Sequence, residues 1–235
     1  MADVFGIIGA MENEVRSLCA ELDDLQKIEA CGLVFNKGKL YGKDVIVVRS
    51  GVGKVNAALC VQALILKFGA TKIINTGVAG ATGANLEVFD FVVSTEAIYH
   101  DVDVRIFGYE RGQVPGLKTI FTADQELVNL VEKAFKKTDF ATKHKLVKGR
   151  IASGDQFIAE KTVKDDIIAS FNPICVEMEG TAIAQASTLN KTPFVIIRCM
   201  SDCADVSIKS VYDFNEDVCA EMCAEFVKKI ISEYN

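Results

Sequence analysis

The chain lacks the features of a membrane protein, a nucleic-acid-binding protein or an enzyme with a histidine-based triad. It has only two histidines, His100 and His144, and no nucleophile elbow accompanies them. No uninterrupted apolar stretch approaches the ~18 residues of a membrane span, and no secretory signal marks the N-terminus. The formal net charge is −6, and lysine and arginine form no long cluster. We expect a soluble cytoplasmic protein whose main partner is neither nucleic acid nor membrane.

The composition is that of an ordinary globular domain. The 235 residues are 50% hydrophobic, and no linker, repeat or low-complexity tract divides them. We therefore expect one domain over residues 1–235, large enough to bury about 70% of its unfolded surface. The eight cysteines include the pairs Cys199/Cys203 and Cys219/Cys223, which have neither metal-site spacing nor histidine partners. Buried free thiols are predicted, with no metal site and no cofactor.

Hydrophobic periodicity predicts alternating strands and helices. Strands are predicted near 4–10, 72–79, 89–101, 145–153 and 193–200, with shorter strands between 26 and 50 and turns at Cys31-Gly32 and Tyr41-Gly42. Helices are predicted near 12–23, 54–68, 124–136, 160–170, 179–189 and 213–233. This alternation indicates the α/β class.

Carboxylates and small residues follow several of the predicted strands. The apolar run Pro193 to Met200 leads into Asp202, and Glu14 opens the helix after the first strand. A second buried run ends in the small residues of segment 75–80. Ligands of open α/β sheets collect at the carboxyl ends of such strands, so these residues are predicted to face one pocket. Two structural alternatives remain open: Asp202 could cap the following turn, and Glu14 could complement the helix dipole.

Five blocks of sequence, in order along nearly the whole chain, resemble one enzyme family. They are residues 6–14, 75–80, 153–158, 176–179 and 201–202, and they are similar to the bacterial-type 5'-methylthioadenosine/S-adenosylhomocysteine nucleosidases. The resemblance implies a nucleoside phosphorylase-like fold, a three-layer α/β/α sandwich around a mixed, partly barrel-like sheet. It also implies a homodimer, an adenine nucleoside as substrate and a place in methionine salvage.

The resemblance assigns roles to the charged residues. Asp202 matches the general acid that protonates adenine, and Glu14 matches the general base for water, with Arg198 as its partner. Glu179 matches the carboxylate that binds both ribose hydroxyls. Glu177 is expected to support the site indirectly, and its direction stays open: it would point away from Glu179 if a helix began there and to the same side in an extended segment. These roles suit cleavage of an N-glycosidic bond through an oxocarbenium-like state, which needs an acid at the leaving group and a base at the water.

The resemblance also implies a set of substrate contacts. Phe157 is expected to stack on adenine, the backbone of Ile158 to read its edge and Met178 to pack on the sugar. Further predicted contacts are Ala10, Met11, Val78, Ala79, Gly80 and Ser201, and the 5' group is predicted to meet Val52, Val104, Phe107 and Tyr212, with Phe107 and Pro115 offered by the partner of a dimer. Two positions depart from the family pattern: Tyr212 stands where phenylalanine is common, and Val78 where serine is frequent.

Two other functions fit the same fold. A phosphorolytic purine or uridine phosphorylase would need cationic and hydroxyl groups for phosphate, but Asn75 and Val78 stand where those enzymes place them. A non-catalytic nucleoside-binding protein would be expected to lack the acid or the base. A dehydrogenase is a weaker alternative, because segment 6–11 lacks the full GxGxxG spacing, and segment 51–55 is not a P-loop, because it lacks the first glycine and the final Ser/Thr.

Overall fold

The computed structural model describes residues 3–83, 85–202 and 209–234, with side chains outside 209–214. The strands are β1 (Val4–Gly9), β2 (Asp23–Ala30), β3 (Leu33–Leu40), β4 (Lys43–Arg49), β5 (Lys72–Ala81), β6 (Phe91–Tyr99), β7 (Phe121–Thr122), β8 (Leu146–Ser153), β9 (Cys175–Glu177) and β10 (Phe194–Asp202). The helices are α1 (Glu12–Ala20), α2 (Lys54–Phe68), α3 (Gln125–Phe135), α4 (Lys161–Phe171), α5 (Gly180–Leu189) and α6 (Lys209–Glu233). Short 3-10 turns lie at Arg105–Phe107 and Asp139–Thr142.

All ten strands join one mixed sheet that is closed at one end. Strands β5, β10, β6, β8 and β9 pair in a ring, because β9 returns to β5 while β10 also pairs with β5. From β5 the sheet continues as an open extension through β1, β4, β3 and β2. Helices α1, α3 and α6 form one packed group and α2 and α5 another. The predicted α/β class with a mixed, partly barrel-like sheet is therefore confirmed.

Four parallel strands determine where the functional residues collect. Strands β4, β1, β5 and β10 run parallel in that order across the sheet, so their carboxyl ends share one edge. At this edge a register shift between Met200 and Asp202 places Asp202 opposite Gly80 of β5. Such a bulge re-aims the side chains that follow it. Antiparallel to β5, the short strand β9 brings Glu177 to the same edge.

Most predicted elements are confirmed, and the errors have physical causes. Helix α6 begins at Lys209 rather than near 213. Strands β7 and β9 were not predicted, because two or three residues are too few to show periodicity. The two predicted hairpin turns are confirmed, and Cys31 (φ 53°), Gly32 (φ 74°), Tyr41 (φ 50°) and Gly42 (φ 75°) have the left-handed backbone of tight hairpin loops.

The cysteines are free thiols wherever the structure describes them. Cys60, Cys175, Cys199, Cys219 and Cys223 are buried, as predicted, whereas Cys31 is exposed and Cys19 is half-buried. Within residues 3–83, 85–202 and 209–234, no helix combines the length and the apolar character needed to cross a membrane.

Candidate active site

A pocket of about 240 Å³ lies at the shared carboxyl edge of the parallel strands. Most of the predicted site residues line it, namely Ala10, Met11, Glu14, Val52, Val78, Ala79, Gly80, Phe157, Glu177, Met178, Glu179, Ser201 and Asp202. A smaller adjoining cavity adds Gln156 and the predicted adenine contact Ile158. Segments that are far apart in the sequence thus meet because four strands and one loop end here.

Glu14 is held at the floor of this pocket by three backbone N–H groups. Its Oε2 accepts hydrogen bonds from Ala10 (2.6 Å) and Met11 (3.0 Å), and its Oε1 accepts one from Val78 (3.1 Å). The residue lies in the first turn of α1 and is buried. Burial raises the pKa of Glu14, although the positive charge of Arg198 and the three hydrogen bonds oppose that shift. A buried, oriented carboxylate with a raised pKa is suited to accept a proton.

Two glycines leave the space that Glu14 occupies. A Cβ added at Gly77 would lie 2.2 Å from Glu14 Oε1, and one added at Gly9 would lie 2.9 Å from Glu14 Cβ. Both distances are far below van der Waals contact. The carboxylate can therefore reach the backbone of β5 only because these two residues have no side chain.

Asp202 is the last residue of β10 and faces the same pocket. Its carboxylate is 8% exposed, and Oδ2 accepts a hydrogen bond from the hydroxyl of Ser201 (2.9 Å). The side-chain amide of Asn215 in α6 donates to the Ser201 carbonyl (3.1 Å) and ties this strand end to the helix. The turn that Asp202 could cap lies outside the described residues, so the structural alternative for Asp202 stays untested.

The partner of Arg198 is Glu177, not Glu14 as predicted. The buried guanidinium donates to Glu177 and to the side-chain oxygen of Asn75 (2.6 Å), while its charge reaches Glu14 only at longer range. Glu177 also accepts hydrogen bonds from the hydroxyl of Ser153 and the N–H groups of Glu179 (3.1 Å) and Gly180 (2.7 Å). Glu177 is the last residue of the extended strand β9, and from there its side chain contacts Arg198 of β10.

This pairing sets the protonation of two neighbouring carboxylates. Burial alone would raise the pKa of Glu177, but Arg198 and the hydrogen bonds outweigh it and hold the pKa below its ordinary value. For Glu179, burial and then the charge of Glu177 raise the pKa to about 8. Its Oε1 accepts a hydrogen bond from the N–H of Gly53 at the start of α2 (2.9 Å). The positive charge of Arg198, 3.9 Å from Glu179 Oε2, opposes this rise in the pKa of Glu179.

Comparison with known proteins identifies the family. The phosphorylase superfamily profile matches residues 4–232. A 5'-methylthioadenosine/S-adenosylhomocysteine nucleosidase of Bacillus cytotoxicus is 42% identical over 228 residues, which cover 97% of each chain. The chain belongs to this nucleosidase family.

Solved structures agree with this family assignment. The nucleosidase of Neisseria meningitidis in complex with methylthio-immucillin-A superposes with a TM-score of 0.94 at 36% identity, covering 99% of this chain and 100% of the other. The nucleosidase of Colwellia psychrerythraea in complex with adenine also has a TM-score of 0.94, at 39% identity, covering 99% and 96%. The chain thus has the nucleosidase fold along its whole length.

Three of the substrate contacts expected from the nucleosidase resemblance do not line the pocket, and the buried Arg198 lies behind its lining residues. Val104 is half-buried, Phe107 is 75% exposed and Pro115 is exposed, and none of the three lines the pocket of a single chain. The side chain of Tyr212 lies outside the described residues. The prediction that a partner subunit offers Phe107 and Pro115 is compatible with their exposure and remains a prediction.

Three residues of this nucleosidase-family site were not predicted as functional. Ser153 donates a hydrogen bond to Glu177, and Asn75 accepts one from Arg198. The N–H of Gly53 donates to Glu179 and orients its carboxylate. Ser153 and Asn75 stand inside the sequence blocks that carry the resemblance, which was the available signal. Gly53 gave no signal of its own, because its contribution is a backbone group.

We predict that Glu177→Gln is strongly destabilising. The substitution removes the shorter ion pair of the buried Arg198 and leaves it only the 3.9 Å contact with Glu179, and breaking such a buried pair typically costs about 3–5 kcal/mol of unfolding free energy. The measurement is chemical denaturation of the variant and the parent. Asp165→Asn is the matched control, because it removes a carboxylate from the exposed pair with Lys161, where about 0–1 kcal/mol is expected. Equal losses in the two variants would contradict the prediction.

Proposed function

We propose that this enzyme hydrolyses the N-glycosidic bond of 5'-methylthioadenosine, S-adenosylhomocysteine and related 5'-substituted adenine nucleosides. The products are adenine and the free thioribose sugar. The observation that carries the proposal is the convergence of Glu14, Glu179 and Asp202 on one pocket of nucleoside size. Relatives that share this fold over their whole length are nucleosidases named for these substrates.

Asp202 is the proposed general acid. Adenine leaves poorly as an anion, so a proton or a strong hydrogen bond at N7 lowers the barrier to cleavage. Phe157 lines the same cavity wall as Asp202 and is 57% exposed, and its aromatic ring is of a kind that stacks on a planar base. Buried Ile158 follows it, where a backbone group can bond the base edge. Adenine bound between these groups has its imidazole side towards Asp202 in our proposal.

Glu14 is the proposed general base for the attacking water. As the glycosidic bond breaks, positive charge develops on the ribose, and the anionic form of Glu14 favours this charge while it accepts the proton of water. Glu179 would hold the two ribose hydroxyls, with Met178 packed on the sugar. The three N–H bonds keep the Glu14 carboxylate in one orientation, so little reorganisation accompanies proton transfer.

The same contacts favour water over phosphate as the nucleophile. The N–H groups of Ala10, Met11 and Val78 form a concave donor set of the kind that binds anions, but the Glu14 carboxylate already occupies it. The described residues that line the pocket include no lysine or arginine. The buried cation Arg198 is paired with Glu177. A phosphate dianion would therefore meet a negative charge and no counter-charge.

The test is to incubate the purified protein with 5'-methylthioadenosine, with and without phosphate, and to identify the sugar product. We expect free methylthioribose at the same rate in both reactions. Methylthioribose-1-phosphate formed only in the presence of phosphate would establish a phosphorylase instead. Binding without release of adenine would establish a nucleoside-binding protein.

We predict discrimination against substrates that lack the ribose 2'-hydroxyl. If Glu179 pairs with that hydroxyl, 2'-deoxyadenosine leaves a buried carboxyl group underpaired. The bond from Gly53 remains, so we expect kcat/KM about ten- to a hundredfold below that for adenosine. The control substrate is 5'-deoxyadenosine, which keeps both ring hydroxyls and should retain activity. Equal efficiency on adenosine and 2'-deoxyadenosine would remove Glu179 from this role.

We also propose a homodimer. Val55, Leu59 and Leu189 on α2 and α5 are 69%, 60% and 60% exposed, and they line one shallow apolar groove. Exposed apolar surface of this kind is typical of an interface between subunits. Phe107, at 75% exposure, is a second large apolar side chain that a partner could cover. Light scattering should give twice the mass of one chain.

Two further expectations remain proposals. A single domain over residues 1–235 is supported by the one sheet that includes all ten strands. A cytoplasmic location is supported by the free thiols of the seven described cysteines, which suit a reducing compartment.

A further inference from the structure

A groove of about 950 Å³ runs between helix α1 and the β2–β3 hairpin and is larger than the pocket described above. Helix α1 contributes Glu12 and Arg16 to its lining, the hairpin contributes Lys27, and Arg49 to Val52 also line it. We call it the α1 groove. Nothing in the proposed cleavage of the glycosidic bond uses it.

The α1 groove is continuous with the proposed active site. Ala10, Met11 and Val52 line both the groove and the pocket, so they form the boundary between the two spaces. Val52 is 47% exposed, so it leaves this boundary open to a ligand. In the proposed binding mode Val52 is also a neighbour of the 5' group. A 5' substituent too long for the pocket therefore has a direct path past Val52 and Met11 into the groove.

The charges of the α1 groove differ from those of the protein as a whole. The chain has a formal net charge of −6, but the groove is lined by the cations Arg16, Lys27 and Arg49 and by a single acid, Glu12. Among the described residues, no carboxylate lies within ion-pair distance of Arg16 or Lys27. Arg49 and Glu12 form a loose pair at 3.6 Å, with side chains 59% and 64% exposed. Such an exposed ion pair contributes little free energy, so Arg49 and Glu12 can each bind a charged group of a ligand instead.

We propose that the α1 groove binds the amino-acid end of S-adenosylhomocysteine, which rests on the proposed function. That substrate carries, beyond its thioether, an α-carboxylate and an α-ammonium on a short aliphatic stem. The carboxylate matches Arg49 and Arg16, whose guanidinium groups can bind it through two hydrogen bonds. The ammonium matches Glu12, and the stem passes the apolar side chains at the boundary. The methylthio group of 5'-methylthioadenosine ends before the groove.

The groove thus gives the two substrates different determinants of affinity. Both would depend equally on Glu14, Glu179 and Asp202, because they share adenine and ribose. Only S-adenosylhomocysteine would depend on the exposed cations. Charge-assisted contacts at exposed sites weaken as salt is added, so its KM should rise with ionic strength while that of 5'-methylthioadenosine stays constant.

The experiment compares steady-state kinetics of both substrates in Arg49→Gln, Arg16→Gln and the double variant. We expect KM for S-adenosylhomocysteine to rise about three- to tenfold in each single variant and further in the double variant. kcat should stay within twofold for both substrates, and kcat/KM for 5'-methylthioadenosine should not change. Lys37→Gln is the matched control, because this exposed cation of β3 lies outside the groove and its loss changes the net charge equally.

Two measurements on the parent protein keep the test independent of the variants. One is the salt dependence of KM for both substrates, and the other is KM for S-adenosylhomocysteine whose carboxylate has been converted to an amide. A KM for the amide equal to that of the acid, or equal effects of Arg49→Gln on both substrates, would overturn the inference. If the parent protein cleaved neither nucleoside, the proposed function itself would fail. If both nucleosides were cleaved without these differences in KM, only the proposed role of the α1 groove would fail.

Discussion

Asp202→Asn is expected to lower kcat for 5'-methylthioadenosine by about 10²–10⁴, which is roughly 3–5 kcal/mol of activation free energy. Asparagine keeps the size of the side chain and its bond to Ser201, but it has no acidic proton for the leaving adenine. Because asparagine has nearly the shape of aspartate and Asp202 pairs with β5 through its backbone, the fold should persist. The measurement is single-turnover release of adenine.

Asp90→Asn is the matched control for this substitution. Asp90 is equally buried, but its carboxylate accepts bonds from the N–H groups of Glu87 (2.9 Å) and Lys145 (3.0 Å), outside the pocket. We expect Asp90→Asn to lower the free energy of unfolding and to leave kcat unchanged. We expect Asp202→Asn to lower kcat and to leave the free energy of unfolding unchanged. Near-normal turnover in a folded Asp202→Asn protein would return Asp202 to the role of a turn cap.

Glu14→Gln is expected to reduce kcat by about two orders of magnitude or more, because water would then attack without a proton acceptor. Binding of 5'-methylthioadenosine should persist, since Phe157, Ile158 and Glu179 are unchanged. The pH profile gives a second measurement. The pKa of Glu14 is raised, so its basic form is lost as pH falls through that raised value, and kcat of the parent should decline on the acidic side. The residual activity of the variant should lack this decline.

This substitution should also reduce stability by more than a helix-dipole effect. A first-turn acid on a surface contributes ~0.3–1 kcal/mol, but Glu14 accepts three buried N–H bonds through both oxygens. Glutamine offers one oxygen and turns an amide NH₂ towards a donor, which costs about 1–3 kcal/mol of unfolding free energy. Glu12→Gln, an exposed change in the same first turn, is the control. Wild-type kcat in Glu14→Gln would assign Glu14 a purely structural role.

Sequence patterns predicted the positions of the strand ends well because each signal is local. The apolar run before Asp202, the small residues of 75–80 and the acid in the first turn of α1 are all read within a few residues. In a parallel sheet, the carboxyl ends of neighbouring strands share an edge, so local signals were enough to place Glu14 and Asp202 in one pocket.

The pairing of Arg198 could not be predicted in this way. Which carboxylate a strand residue meets depends on the closure of the ring and on β9, a strand of only three residues. Without that closure, Glu14 and Glu177 are equally plausible partners for a buried guanidinium. The bulge before Asp202 and the bond from Gly53 to Glu179 are likewise products of long-range register, which no single segment encodes.

Because Gly77 has no side chain, the protein should tolerate amino-acid substitution poorly at this position. Gly77 has no group that could take part in catalysis, yet one added methyl would fall 2.2 Å from Glu14 Oε1 and force the base away from the N–H of Val78. Alanine at this position would thus be expected to lower kcat by displacing Glu14, while every acid, base and binding side chain was still encoded. Surveys that rank natural variants by the chemistry of the altered residue would overlook it.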